Sequence, residues 1–392
     1  MVIQDVMRNI SRVLLKRDRI DKVPIAKDIE YINSFREPKD DIERSFFQYK
    51  CQMKNYNLAV RLFFNLASFF VAIADLIVYR IRYKKNNNQV DCDAVFFRDG
   101  KDRELLPNEL REEFVNIETD SLVGNCLNKK DLRFLGSILV KYPCSWFFFL
   151  KLIIKVSRYR NAINLYNPKA IISCNEFSFT SSVLTEFCHS EGIEHINVMH
   201  GDRGLMLTDT FFHFDRFYVW NEHYIKLFEE LRCKIDRFVV SIPEALLFKN
   251  ASKIEKIIDY TYYLQENSVD ELEMIQNNLD KLRKCGYTVA IRPHPRFSNI
   301  KIVEAIFKDF LIEDNKAISI QESVLRTRYV VAFYSTVLLQ AYLNSVDTVI
   351  DDIVNPIKLE RLKNRKCLTV SIEHKRLSDI IDSLREVEKE EK

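Results

Sequence analysis

The fold is decided by the stretch Tyr287-Thr288-Val289-Ala290-Ile291, which runs directly into Arg292-Pro293-His294-Pro295-Arg296. The apolar run predicts a buried strand, and the two prolines end it. Two arginines and an imidazole then stand at the end of that strand, the edge at which open α/β sheets bind ligands. A second apolar run, 329–333, leads through Ser335-Thr336 into a predicted helix. Hydroxyls at a helix N-terminus near a basic strand end predict a phosphate site; a solvated turn and a plain helix cap are the alternatives.

The composition narrows the class of protein. The chain has 392 residues, 47% of them hydrophobic, and a formal net charge of +3. This length allows two domains, and the balanced charge argues against a nucleic-acid partner. Nine cysteines without a C-x-x-C pair, and no signal-peptide pattern, favour a reducing compartment, so we expect a cytoplasmic protein. The absence of G-x-G-x-x-G and P-loop motifs weighs against dinucleotide binding and P-loop ATP chemistry.

Alternating strand and helix patterns from residue 91 onward predict the fold class. Such alternation favours parallel sheets covered on both faces by helices. The predicted strands are 93–97, 170–174, 195–199, 216–220, 237–241, 259–265, 287–291, 318–320, 329–333 and 348–350. We therefore expect an α/β protein with two Rossmann-like domains, 91–245 and 246–392, facing a cleft. A helical extension, residues 1–90, is expected to pack on or precede the first domain.

Three segments mix apolar and basic residues. Residues 1–19 form a basic amphipathic pattern, 62–78 form a strongly apolar run followed by cations, and 146–160 combine aromatic residues with cations. Such segments are typical of helices in a membrane interface, and the alternative is a core helix with a solvated basic side. For the second segment both interpretations stay open, and for the others we favour core helices. A spanning helix is the least favoured, because Asn65 and Asp75 interrupt the run.

Polar side chains that follow the predicted strands are the candidates for chemistry. In the first domain these are Glu176, His200 and Asp202, with Arg203 beside them. A carboxylate or an imidazole there could take a proton from an acceptor hydroxyl. Structural roles are the alternatives: a packed histidine, a carboxylate that caps its own helix, and a carboxylate that fixes its loop.

In the second domain the candidate side chains suit an anion, because they combine charge-assisted donors with a helix N-terminus. They are Arg292, His294, Ser335 and Thr336. A departing phosphate gains negative charge in the transition state, and fixed donors would stabilise it without a metal. We interpret the acidic pairs Asp91-Cys92-Asp93 and Asp351-Asp352 as solvated loops, so no metal site is predicted.

The motifs His200-Gly201, Arg292-x-His294-Pro295 and Ser335-Thr336, in this order, resemble those of GT-B-fold bacterial glycosyltransferases of capsule and lipopolysaccharide biosynthesis. They are similar in particular to the His-Pro and Ser-rich motifs of sialyl-, polysialyl- and Kdo-transferases, which use a CMP-linked donor. The set also resembles the teichoic-acid glycerophosphotransferases, which use a CDP-linked donor. The resemblance spans residues 90–375.

The resemblance implies roles for these residues. His294 and Ser335 would hold the donor phosphate, with Arg292 and Thr336 assisting. Gln340 stands where many such enzymes place a glutamate on the ribose hydroxyls, although it could also be a plain helix-surface residue. His200 matches the glycerophosphotransferase pattern. The acidic-acidic-Gly motif of the sialyltransferases has only a poor counterpart, Arg98-Asp99-Gly100.

The function implied is an inverting, metal-independent transferase without a cofactor. It would move a sugar from a nucleotide donor, with a CMP-linked donor favoured, to a bacterial surface polysaccharide or lipid-linked glycan. Residues 91–245 would then bind the acceptor and residues 246–392 the donor. A membrane-linked acceptor implies peripheral contact with the inner face of the membrane. The alternatives are a CDP-glycerol-type glycerophosphotransferase, a sugar-nucleotide epimerase of the same fold and a non-catalytic glycan-assembly partner.

Overall fold

The computed structural model of the protein describes residues 24–84, 86, 90–98, 100–119, 124–248 and 254–390. The predicted amphipathic segment 1–19 and Asp99 lie outside the described residues. The chain forms two compact units. The first comprises the described residues up to His200 together with Leu205–Glu244, and the second comprises Gly201–Gly204 and the described residues from Ala245 onward.

The first unit is built on a parallel sheet. Its strands are β1 (Ala94–Phe96), β2 (Ile117–Thr119), β3 (Ala170–Ser173), β4 (Glu194–Val198), β5 (His213–Val219) and β6 (Lys234–Val240). They pair in the order β2-β1-β3-β4-β5-β6. β1 and β3 are buried throughout, as central parallel strands covered on both faces should be. The switch point, where the winding reverses direction, lies between β1 and β3.

The helices of the first unit cover this sheet and include the N-terminal extension. They are α1 (Ile25–Asn33), α2 (Asp41–Met53), α3 (Leu58–Arg82), α4 (Asn108–Glu113), α5 (Lys129–Lys141), α6 (Trp146–Tyr166), α7 (Ser181–Ser190) and α8 (His223–Glu230). The extension is tied to the sheet layer, because Ser45 Oγ accepts from Val183 N at 2.9 Å and Asp41 Oδ2 lies 2.8 Å from His213 Nδ1. α2 is therefore a structural part of the first unit.

The apolar segments 62–78 and 146–160 differ in how much of their surface is buried. α6 is a core helix, since Phe148, Leu152 and Tyr159 are almost completely buried, and the core interpretation of 146–160 is confirmed. By length and composition, α3 is long and apolar enough to cross a membrane. Only 17% of its most apolar stretch is buried within the protein. The core interpretation of the 62–78 segment is therefore wrong for its outward face.

The second unit is built on a second parallel sheet. Its strands are β7 (Ile258–Tyr263), β8 (Val289–Arg292), β9 (Leu311–Ile312), β10 (Thr327–Ala332), β11 (Asp347–Ile350) and β12 (Lys375–Arg376). They pair in the order β12-β11-β10-β7-β8-β9. Counted from the first strand of the unit this is the 3-2-1-4-5-6 order of Rossmann folds, with its switch point between β7 and β10. The predicted α/β architecture with two parallel sheets is confirmed; the cleft stays a prediction.

The helices of the second unit are α9 (Val269–Lys284), α10 (Ile300–Ile306), α11 (Ile320–Leu325), α12 (Thr336–Leu343), α13 (Pro356–Asn364), α14 (Leu368–Ser371) and α15 (Leu377–Glu390). One predicted strand is wrong: 318–320 leads into α11. Ser319 Oγ accepts from Glu322 N at 3.1 Å, so the Ser-x-x-Glu pattern starts a helix where apolar residues suggested a strand. The third strand of the unit is β9, seven residues earlier along the chain.

Candidate nucleotide site and candidate base

The switch point of the second sheet lies beside Ser335 and Thr336, two of the residues predicted to bind the donor phosphate. β7 and β10 are neighbours, and the chain winds away from this pair in both directions. The segment after β10 carries Ser335 and then opens α12 with Thr336. Ligands of doubly wound sheets bind outside the carboxyl ends of the strands at such a point. The sequence prediction of a helix N-terminus at the ligand edge agrees with this position.

Ser335 caps α12, because its side chain accepts from Val337 N at 3.3 Å. The helix N-terminus carries partial positive charge on its first N–H groups, which favours an anion there. Thr336 is the first helical residue and its side chain is exposed, while Gln340 lies one turn further and is half-buried. An exposed hydroxyl beside a helix N-terminus can donate to a phosphate oxygen.

His294 follows β8 and its ring is fixed by the backbone. Its Nδ1 accepts from Arg296 N at 3.1 Å and from Phe297 N at 3.3 Å, and the ring stacks on Phe297 with centroids 4.5 Å apart. Since Nδ1 accepts, the neutral ring carries its proton on Nε2. Burial, and then the nearby Arg296 cation, lower the pKa of His294. The neutral ring with a donor Nε2–H is therefore the favoured form at neutral pH.

His294 lines a cavity of about 590 Å³ in the second unit. The walls come from the segment after β8, from α10 and from the end of β9 with the residues that follow it, and they include the acidic residues Glu304, Glu313 and Asp314. Asn315 Nδ2 donates to Pro293 O at 2.8 Å and so joins the segments after β8 and β9. A cavity of this size can hold a nucleotide-sized ligand. With strands about 4.8 Å apart, the ends of β8 and β10 lie about 10 Å apart, within reach of one such ligand.

Arg292 is placed differently from the other predicted phosphate ligands. Its guanidinium is buried, donating from Nη1 to Glu313 Oε2 at 2.8 Å and from Nη2 to Ile318 O at 2.9 Å. Glu313 also accepts from Arg326 Nη2 at 2.7 Å and from Ser323 Oγ. Two cations thus share one fully buried carboxylate. The structure therefore does not bring the Arg292 guanidinium together with His294 and Ser335, and the supporting Glu313 was missed in the sequence.

The first unit brings together two of the predicted catalytic residues, the His200–Glu176 pair. Glu176 follows β3 and His200 follows β4, so both lie at the carboxyl edge of the first sheet. His200 Nδ1 is 3.4 Å from Glu176 Oε1, and the histidine side chain is 20% exposed while the carboxylate is fully buried. A buried carboxylate against a partly exposed imidazole can orient the ring. The pair is suited to take a proton through His200.

Buried amides hold Glu176 in place. Asn197 on β4 donates from Nδ2 to Glu176 Oε2 at 3.0 Å and accepts from Asn175 N at 2.8 Å. Gln48 of α2 donates to the Glu176 carbonyl at 3.0 Å. Both residues were missed in the sequence. Asn197 could have been recognised in the sequence as a polar residue within an apolar strand, because a buried polar group needs hydrogen-bond partners.

Asp202 has a structural role in the second unit. Its two carboxylate oxygens accept from Leu368 N at 3.1 Å and Thr369 N at 2.9 Å, at the start of α14. Asp202 belongs to the segment Gly201–Gly204 of the second unit. The carboxylate therefore fixes its loop, as the alternative interpretation expected.

One of the two acidic pairs departs from the prediction of a solvated loop. Asp351 is fully buried; its Oδ2 accepts from Tyr262 Oη at 2.6 Å and its Oδ1 from Ile353 N at 2.9 Å. Burial raises the pKa of Asp351. The interpretation of Asp351 as solvated is therefore wrong, because a tyrosine hydroxyl and the backbone of the following turn replace water around the carboxylate.

No protein-family model matches this chain, and no curated protein matches it. Among solved structures it is similar to a UDP-GlcNAc 2-epimerase from Neisseria meningitidis bound to UDP-GlcNAc (11% identity, 76% of this chain and 91% of the other, TM-score 0.44). It is also similar to the wall teichoic acid polymerase TagF (9% identity, 74% and 78%, TM-score 0.39) and to a glycosyltransferase of kitacinnamycin (8% identity, 70% and 84%, TM-score 0.41). The architecture of this chain itself, two doubly wound parallel sheets, is the class of fold that the GT-B resemblance implies.

Proposed function

We propose that the protein is an inverting, metal-independent glycosyltransferase that uses a nucleotide-sugar donor, with a CMP-linked donor favoured. The acceptor in this proposal is a bacterial surface polysaccharide or a lipid-linked glycan. The observation that carries the proposal is His294, a neutral ring whose Nδ1 is fixed by two amides so that Nε2–H is the donor beside a cavity of about 590 Å³. Ser335 and Thr336, at the switch point of the same sheet, supply hydroxyls and a helix N-terminus for the same nucleotide.

The chemistry follows from these groups. His200 takes the proton of the acceptor hydroxyl, with Glu176 orienting the ring, and the acceptor oxygen attacks the anomeric carbon of the sugar. The bond from that carbon to the phosphate oxygen breaks on the opposite face, so the configuration inverts. Negative charge grows on the departing nucleotide, where the His294 Nε2–H and the N-terminus of α12 stabilise it.

The nucleotide site is tested by binding of CMP, CDP, UDP and GDP, measured by calorimetry on the full chain. His294→Ala should weaken the best nucleotide about 10- to 100-fold, because a hydrogen bond to a charged group is lost. Ser335→Ala should also weaken it. Ser319→Ala removes the same kind of helix cap at α11 and should leave nucleotide affinity unchanged. Binding by none of the four nucleotides would overturn the proposal.

The base is tested by turnover. His200→Ala should leave nucleotide affinity intact and lower kcat about 10²- to 10⁴-fold, the usual contribution of a general base. Glu176→Gln should lower kcat and leave nucleotide affinity intact, since Glu176 acts by orienting the His200 ring. Full activity of His200→Ala would contradict the assignment.

Product analysis separates the alternatives. A transferase releases nucleoside phosphate only when an acceptor is present, whereas a glycerophosphotransferase releases CMP from CDP-glycerol. An epimerase converts one sugar nucleotide into another without an acceptor. A non-catalytic partner would bind nucleotide or glycan and release no product.

A further inference from the structure

We infer that α3 is a membrane-docking helix that lies in the plane of an anionic lipid surface, with its outward face in the lipid. Ten large apolar side chains between Leu58 and Ile81 are each more than a third exposed, among them Phe63, Leu66 and Phe70 at 65%. Every exposed position of the helix before Arg82 is apolar. At 3.6 residues per turn these positions cover more than half of the helix circumference.

Such a surface is larger than a water-soluble protein leaves uncovered. A helix of 25 residues is about 37 Å long, and a continuous apolar strip of that length exceeds the patches usual on monomers. Scattered exposed apolar residues elsewhere, such as Val115 and Ile357, have no comparable neighbours along a helix. The strip therefore needs an apolar partner.

The opposite face of α3 keeps the helix on the protein. Asn65 Nδ2 donates to Cys144 O at 2.7 Å, Phe69 meets Trp146 with ring centroids 4.6 Å apart, and Leu127 N donates to Tyr79 O at 3.0 Å. These contacts reach from the first half of the helix to its end. A spanning orientation would remove α3 from α6 and expose those partners. A helix lying in the interface keeps all of them and covers the apolar strip.

The charge at the end of the helix selects the kind of lipid. Arg80, Arg82 and Lys84 lie at the C-terminal end of the strip, and Arg82 and Lys84 are exposed. No acidic side chain is exposed on α3, since Asp75 is only half-buried on its flank. Cations at one end of an apolar face favour anionic headgroups over neutral ones. The inferred partner is therefore a bilayer surface that contains anionic lipid.

The test is flotation of the full chain with vesicles. We expect binding to vesicles of phosphatidylglycerol and phosphatidylcholine, and weaker binding to pure phosphatidylcholine. Leu66→Gln with Phe70→Gln should lower the partition coefficient about 100-fold, because two largely exposed apolar side chains no longer enter the lipid. Val115→Gln with Ile357→Gln removes two exposed apolar residues outside the strip and should have no effect.

Three further measurements separate this inference from its alternatives. Arg82→Gln with Lys84→Gln should weaken binding about 30-fold on anionic vesicles and leave neutral vesicles unaffected. Alkaline carbonate should release the protein from cell membranes, whereas resistance to it would indicate a spanning helix and overturn the inference. A dimer in solution that the Leu66 and Phe70 substitutions split, without any flotation of the native chain, would identify a second copy as the partner instead. None of these outcomes depends on nucleotide binding or turnover.

Discussion

Replacing Glu313 by glutamine tests whether the Arg292 guanidinium stabilises the second unit through its buried ion pair with Glu313. Glu313 is buried: its side chain is 0% exposed and holds Arg292 at 2.8 Å and Arg326 at 2.7 Å. Glutamine keeps the shape but removes the charge, so two largely buried guanidinium groups lose their counter-ion. Removing one partner of a buried pair costs about 3–5 kcal/mol. For a unit of about 150 residues each kcal/mol lowers Tm by about 2–4 °C, so we expect a loss of about 6–20 °C.

Calorimetric melting of the second-unit transition measures this loss. Asp280→Asn is the matched control, because it removes one carboxylate from the surface pairs with Arg283 and Lys284 on α9. Surface pairs contribute less than about 1 kcal/mol, so this variant should melt within about 4 °C of the native protein. Equal melting of both variants would refute the reasoning and return Arg292 to the group of available phosphate ligands.

Two other predictions concern stability. Burial, and then His213 and His189, lower the pKa of His195 to about 3. Below pH 6.5 the unfolded chain therefore binds a proton at His195 that the native state does not bind, and the native state loses stability as the pH falls. Relative to His195→Gln, the native protein should lose about 3 kcal/mol between pH 7 and pH 4 in urea unfolding, and a pH-independent difference would contradict this. Gly204→Ala would put a Cβ 2.7 Å from the Arg365 carbonyl and should cost about 1–3 kcal/mol in thermal unfolding, whereas Gly201→Ala meets nothing within 4 Å and should be neutral.

The long apolar strands were predictable, and the short edge strands were not. Runs such as 170–174 and 329–333 read as strands because both faces are buried, which leaves a continuous apolar run. β9 and β12 have two residues each, less than any periodic pattern needs, and their position depends on the neighbouring strand. The false strand at 318–320 arose because its apolar residues outweighed the serine cap that follows Ile318.

The candidate site was predictable where local sequence determines it. A proline-bounded strand end presents His294, and a hydroxyl before a helix marks Ser335, so both positions could be read directly. The burial of the Arg292 guanidinium depends on its ion pair with Glu313, twenty-one residues later. No local sequence pattern indicates which carboxylate an arginine will pair with. Asp202 likewise pairs with the backbone of α14, 166 residues away.

The strand orders of the two sheets bear on which parts of the chain could be exchanged for other domains. Within the described residues both sheets have six parallel strands, yet the first winds as 2-1-3-4-5-6 and the second as 3-2-1-4-5-6. The two halves therefore differ in topology, and neither can replace the other strand for strand. A chimaera that joins at Glu244 and Ala245 should accordingly exchange each half only for a domain with its own winding, and it must keep the segment Gly201–Gly204 with the second unit.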